Sequence, residues 1–428
     1  MKKKTIVRPN PTTRHVKRIG TKHTETPYEY PDCELSRESF ILHEDVEDYC
    51  AKKTDKMGIF SFFSGAGFLD LGFEWSKQFE IRFVNEIQLS FLQTYRYSRK
   101  NLGLPEPTFG YSVADIAWLL EGDKFDRMQS LVEYAKKSTA PVGFIGGPPC
   151  PDFSVGGKNK GRHGENGKLS DTYVELICRL KPDFFLFENV KGLYRTAKHR
   201  AFFEELKIKL RKAGYVLTER LVNALAFGAP QDRERILMVG FLKGSERLDF
   251  DPEKNIDHFP WSKHERKDAK TIKDFAWPGM TPFQEKNTTV PPSGIPLELT
   301  VQHWFEKNRV TEHPNAEHFF KPREGLKKFL VIEEGDDKKK SYKRLHRWRY
   351  SPTAAYGNNE VHLHPYHARR ITVAEALAIQ SLPRDFLIPP TIPLSDMFKT
   401  VGNGVPFLLA NSIAKTIAYF IEMKGECP

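Results

Sequence analysis

Residues 60–74 read FSFFSGAGFLDLGFE. The apolar run GIFSFF (58–63) is followed by a glycine turn and then by apolar residues at helical spacing over 68–77, which predicts strand, turn and helix. Gly65 and Gly67 carry no Cβ, so a ligand can approach the backbone where the N–H groups of a helix start point outward. The spacing is not the dinucleotide pattern GxGxxG, and a G-x-G by itself reads equally as a tight turn. Glu86 gives the segment more meaning. It lies nineteen residues beyond Gly67, at the end of the next apolar run EIRFVNE (80–86), where an acid in nucleotide-binding α/β folds bonds ribose hydroxyls. Asp115, in SVADIAW at the end of a third strand, offers a further polar contact. Together these residues predict a nucleoside cofactor without saying which.

Working outward, VGFIGG (142–147), DFFLFEN (183–189) and RILMVGF (235–241) read as buried strands. Helical patterns at 88–97, 170–181 and 199–213 separate them, the last stopped at Gly214. The alternation predicts a doubly wound α/β fold with a parallel sheet covered on both faces. Residues 241–368 differ: Pro, His and charges are scattered, nine of the fourteen His fall here, and periodicity is weak. The chain therefore divides into an N-terminal extension (1–55), a first domain (56–240), an inserted loop-rich domain (241–368) and a return (369–428). The helices expected at 371–380 and 407–423 complete the first domain.

The 428 residues are 39% hydrophobic and 28% charged, enough apolar material for a sizeable core. No apolar run approaches the roughly 18 residues of a membrane span, and MKKKTIVRPN has no apolar stretch behind it as a secretory signal requires. Five cysteines, odd in number and without CxxC, exclude a disulfide framework and a cysteine metal site and fit the cytoplasm. The net charge of +11 points to a polyanionic partner. Residues 1–55 contribute +1, 56–240 contribute +6, 241–368 contribute +3 and 369–428 contribute +1, so no single tail carries the excess.

Chemistry concentrates at strand ends. GGPPCPDFS (146–154) follows a strand and puts Cys150 between two prolines in a rigid loop, where a thiolate can act as nucleophile rather than as a small buried hydrophobe. The next stretch, VGGKNKGRHGENGK (155–168), has five Gly and four Lys/Arg, the composition of a mobile loop able to grip phosphates. In FLFENV (185–190), Glu188 ends a very apolar strand, and apolar neighbours favour a neutral or proton-sharing carboxyl. QDRERILMVGF (231–241) sets Gln231, Arg233 and Arg235 on alternate positions, hence on one face of a starting strand.

These segments, with RRITVAEALAIQSLP (369–383) and VGNGVPF (401–407), resemble the DNA (cytosine-5) methyltransferases over roughly 58–240 and 369–420. The resemblance implies a Rossmann-like S-adenosylmethionine-dependent methyltransferase domain with 241–368 as its target-recognition domain. It implies methyl transfer to C5 of a cytosine flipped out of a specific double-stranded DNA sequence. Cys150 would attack C6, Glu188 would bond or protonate N3, and Arg233 and Arg235 would hold the base near O2 with support from Gln231. Cofactor positions carried over are Phe63, Ala66, Gly67, Glu86, Ile87, Asp115, Ile116, Pro149, Leu169, Asn403 and Val405. DNA contacts fall to Ser154, Lys158, Lys160, Arg162, Gln231 and Thr353, and SYKRLHRWRY (341–350) adds cations among aromatics. A monomer near the nucleoid, without metal and with a cognate restriction endonuclease acting on the same site, is the implied setting. Two positions depart from the family: Pro151 where many members have Gln, and Ala374 where an Arg is common.

A tRNA substrate is the rival that keeps the chemistry; the 128-residue variable region favours duplex DNA. A DNA-binding protein with a dead methyltransferase fold is countered by the presence of Cys150, Glu188, Arg233 and Arg235 together. An amino-group methyltransferase lacks its Asp/Asn-Pro-Pro-aromatic stretch, and a dinucleotide oxidoreductase lacks its third glycine.

Overall fold

The computed structural model describes residues 39–41, 56–138, 140–149, 165–194, 196–322, 326–338, 342–354, 356 and 360–425. Cys150, Pro151, Ser154, Lys158, Lys160 and Arg162 lie outside the described residues.

The β strands are β1 (Ser39–Ile41), β2 (Met57–Phe62), β3 (Phe79–Asn85), β4 (Tyr111–Val113), β5 (Val142–Gly146), β6 (Phe184–Val190), β7 (Tyr215–Asn223) and β8 (Glu234–Leu242). They form one sheet in the order β1-β4-β3-β2-β5-β6-β8-β7. The five from β4 to β6 are parallel. Strand order reverses between β2 and β5, which opens a crevice at the carboxyl edge of the sheet.

The central strands read as unbroken apolar runs because both their faces are buried, β2 along its whole length. One face is a layer of phenylalanine: Phe60 packs on Phe83, Phe109 and Phe144 with ring centroids 5.4–5.9 Å apart. Against it lie α3 (Gly122–Ala135), α4 (Glu165–Leu180) and α5 (Ala197–Lys212), through Met128, Val174 and Leu206. The other face carries α1 (Phe68–Trp75) and α2 (Leu89–Asn101). The return contributes α10 (Val373–Ile379), α11 (Leu394–Asn403) and α12 (Phe407–Glu422). α12 seats on α1 so closely that a Cβ on Gly72 would fall 2.4 Å from Ala410, and Asn411 Nδ2 donates to the Gly72 carbonyl at 2.9 Å. Between Leu242 and 368 the helices are short: α6 (Pro252–Asn255), α7 (Ala269–Lys273), α8 (Val301–Lys307) and α9 (Leu326–Phe329). The segment 394–422 is long and apolar enough to cross a bilayer by length and composition, but 67% of its most apolar 18 residues are buried within the chain.

Four expectations are corrected. The sheet is mixed, because β8 runs antiparallel to both β6 and β7. β7 and α3 were not anticipated: YVLTERLVN is a half-exposed edge strand that mixes polar residues into its run, and GDKFDRMQSLVEYA buries only four positions. α4 begins at Glu165, so the last part of the cationic 155–168 stretch is helical. β8 begins at Glu234, so Gln231 and Arg233 precede the strand and do not alternate along it; Gln231 instead bridges to Ser351.

Candidate active site

A cleft of about 2570 Å³ opens along the carboxyl edge of the parallel strands. Its walls come from the residues that follow β2, β3, β4, β5 and β6, together with Thr353, Tyr356, Glu360 and His362 and with the stretch from α11 to Val405. The antiparallel β8 adds Arg235 from its amino end, because reversal of direction brings that end to the same edge; Arg235 stands opposite Val190 in the β6–β8 register.

At one end, Phe63, Ala66, Ile87, Ile116, Pro149, Leu169 and Val405 give mostly apolar walls, and Glu86, Asp115 and Asn403 give polar points. Glu86 is buried, and its carboxylate accepts from the Gly65 and Gln88 backbone N–H groups, both at 2.8 Å. Burial pushes its carboxyl upward against these two bonds. Asn85 donates to the Ala114 carbonyl at 2.9 Å, which ties the end of β3 to that of β4 and sets Asp115 beside Glu86. Gly67 is the one expected cofactor residue that does not line the cleft. It has φ 81° as the cap of α1, and a Cβ there would strike the Tyr95 ring at 2.6 Å. Gly65 has open space around its absent Cβ and φ 58°, so the turn leaves the cleft unobstructed. Three lining residues escaped notice in the sequence. Ser64 Oγ and Thr400 Oγ1 are buried with no hydrogen-bond partner among the described residues, and Asp70 is a buried carboxyl.

At the other end, Glu188 Oε1 lies 2.8 Å from Arg235 Nε. Its partner is therefore an arginine and not only the apolar strand around it. Glu188 also meets the loop after β5: a Cβ on Gly147 would fall 2.6 Å from Glu188 Oε2. Next along β6, Asn189 Nδ2 donates to the Pro148 carbonyl at 3.3 Å. Acid and arginine therefore stand against the Gly147–Pro149 segment that leads directly into Cys150.

Arg233 lines the same cleft, whereas Gln231 does not. Gln231 is fully buried; its side chain accepts from Ala354 N–H at 3.0 Å and donates to Gln380 at 3.1 Å. It cannot touch DNA from there, which corrects its expected role. Arg233 is 1% exposed and donates to the carbonyls of Ala354 (3.1 Å) and Gly402 (3.0 Å). Burial, and after it the charge of Arg235, pushes the Arg233 guanidinium downward. Thr353 lines the cleft and donates to the Asp232 carbonyl at 2.6 Å. Ala374 packs in the core, and Glu375 takes its arginine from Arg369 at 2.7 and 2.8 Å.

The sequence model of the C-5 cytosine-specific DNA methylases matches residues 57–419. A type II methyltransferase of Neisseria meningitidis serogroup C, M.NmeDI, is 53% identical over 419 residues, 98% of this chain and 95% of its own length. The type II methyltransferase M.FnuDI of Fusobacterium nucleatum is 31% identical over 84% of this chain and 94% of its own. Among solved structures, a prophage-encoded E. coli protein assigned as a DNA modification methyltransferase superposes with a TM-score of 0.58 at 21% identity, covering 86% of this chain and all of the other.

Proposed function

The chain belongs to the C-5 cytosine-specific DNA methylase family, and from that premise we propose that it methylates C5 of a flipped cytosine within a specific double-stranded DNA sequence. The reaction class, a type II DNA cytosine-5 methyltransferase of restriction-modification type, follows from the family. The detail rests chiefly on one observation: the Glu188–Arg235 pair packed against the loop that leads into Cys150.

The cleft suits S-adenosylmethionine. Phe63, Ile116, Leu169 and Val405 would hold an adenine, Glu86 the ribose hydroxyls, and the orphaned Ser64 and Thr400 hydroxyls its remaining polar groups. When bound, this cofactor supplies an electrophilic methyl group. The Cys150 thiolate adds to C6 of the base, which breaks aromaticity and makes C5 nucleophilic. Glu188 holds a proton at N3, and Arg235 faces the charge that builds toward O2. After transfer, water removes the C5 proton and Cys150 leaves. Arg233, which lines the same cleft, would hold the base beside Arg235 and also ties the segments around it. We further assign 241–368 to target recognition, with Thr353 on the DNA side, and take the enzyme as a cytoplasmic monomer paired with an endonuclease of the same site.

DNA carrying 5-fluorocytosine in the target sequence, incubated with the cofactor, tests this reading. A covalent complex that survives denaturing electrophoresis is expected from the wild type, and neither complex nor turnover from Cys150→Ser. Full activity of that variant, or labelling of tRNA alone, would overturn the proposal.

A further inference from the structure

We propose that Asp70 is the counter-charge for the sulfonium of S-adenosylmethionine, so that the site holds the methyl donor more tightly than its neutral thioether product. The inference rests on the cofactor reading above and assigns a selectivity to one residue of that cleft.

Asp70 sits in the first turn of α1, 1% exposed, yet it lines the cleft with Phe63, Gly65 and Ala66. Each carboxylate oxygen is held by a neutral hydroxyl, Oδ1 by Ser61 of β2 at 2.7 Å and Oδ2 by Tyr95 of α2 at 2.9 Å. The cation nearby, Arg99, is engaged by Glu74 through both of its terminal nitrogens, one of them at 2.8 Å from Oε1. Two buried carboxylates therefore share one guanidinium, and the surplus negative charge lies at Asp70. The other ionisable neighbours do not cancel it. Tyr111, beyond Tyr95, is a phenol bonded to Glu106, and the Glu86 carboxylate is held by the Gly65 and Gln88 N–H groups. Burial pushes the Asp70 carboxyl up to about 6, with Ser61, Tyr95 and Arg99 opposing and Glu74 adding to the rise. The group is thus poised to ionise when a cation arrives.

Donor and product differ by a methyl group and a permanent positive charge. A fixed carboxylate buried to 1% exposure distinguishes them by charge, with less screening than at a surface. Ionisation on binding is balanced by release of the Asp70 proton to solvent.

Calorimetric titration of the full chain with S-adenosylmethionine and with S-adenosylhomocysteine, at about pH 6 in two buffers of different ionisation enthalpy, tests this. The methyl donor should release on the order of half a proton and the product clearly less, with the difference gone near pH 8. In Asp70→Asn, affinity for the donor should fall about tenfold, affinity for the product should stay within about twofold, and proton release should vanish. Equal proton release with both ligands in the wild type, a measurement that needs no variant, would overturn the assignment. So would a variant that weakens both ligands alike, the mark of a merely structural carboxyl. If neither ligand binds at all, the cofactor reading falls first.

Discussion

At the scale of single residues the decisive contact is the approach of Gly147 to Glu188. The carboxylate is held on one side by Arg235 at 2.8 Å, and the missing Cβ of Gly147 leaves the space its other oxygen occupies. Gly147→Ala would put a methyl group 2.6 Å from Oε2, so the Glu188 carboxylate would have to swing away, and with it the geometry of its ion pair. We expect a fall of at least about tenfold in methyl transfer, equivalent to about 1.4 kcal/mol at the barrier, with cofactor affinity unchanged. Single-turnover rates beside a cofactor titration check this; an unchanged rate would mean that the position of Glu188 is not critical. Glu86 and Glu188 were legible in the sequence because each ends an apolar run, and strand ends are where such sheets place ligands. Gly147 was not, since its need for a bare backbone comes from a residue 41 positions later on a neighbouring strand. Nor was Asp70: an acid in the first turn of a helix reads as a partner of the helix dipole, and only the packing of β2 and α2 reveals it as buried.

At the scale of elements, β2, α1 and α2 enclose the Ser61–Asp70–Tyr95 chain, and its cost to folding can be measured. The Asp70 carboxyl rises from 3.8 to about 6 on folding, so the native state disfavours the ionised form. The sign follows: relative to a neutral side chain, Asp70 costs nothing below about pH 4, and the penalty grows as pH climbs through about 6. Asp70→Asn should therefore be more stable than the wild type at about pH 7.5, by on the order of 1–3 kcal/mol, with the two converging near pH 4. Denaturant melts at both pH values decide it; a variant less stable by the same amount at both would show that the hydrogen bonds outweigh desolvation. A charge that destabilises the fold yet persists beside the cofactor cleft is the pattern expected of a functional group. Elements with one buried apolar pattern, such as β2, β6 and α12, were legible from sequence. β7 and α3 were not, because an edge strand and a surface helix bury too few residues to impose a clear period.

At the scale of the whole molecule, three stretches far apart in sequence meet at one buried joint. The 230–233 segment holds 351–354 through the Ser351 N–H to Pro230 carbonyl bond (2.8 Å), the Asp232 N–H to Ser351 carbonyl bond (2.8 Å) and the two bonds to Ala354. The same Arg233 holds the Gly402 and Asn403 carbonyls at the end of α11, where the chain turns into Val405; Asn403 and Val405 line the cofactor end of the cleft. Gln380, bonded to Gln231, also reaches the Gly404 carbonyl at 3.3 Å. The segment proposed to face DNA and the turn that closes on the cofactor thus hang from one guanidinium. Arg233→Ala would leave carbonyls of Ala354, Gly402 and Asn403 without their donor and a cavity between them, a loss on the order of 2–4 kcal/mol. It should weaken cofactor and DNA binding together, each by about tenfold or more. Thr353→Val removes only the anchor of its own loop to Asp232 and should weaken DNA binding while leaving cofactor affinity intact. Separate titrations of the two variants, with a denaturant melt of each, distinguish joint from contact. If Arg233→Ala weakened DNA binding alone, the arginine would be a DNA-side residue and the coupling through the joint would fail.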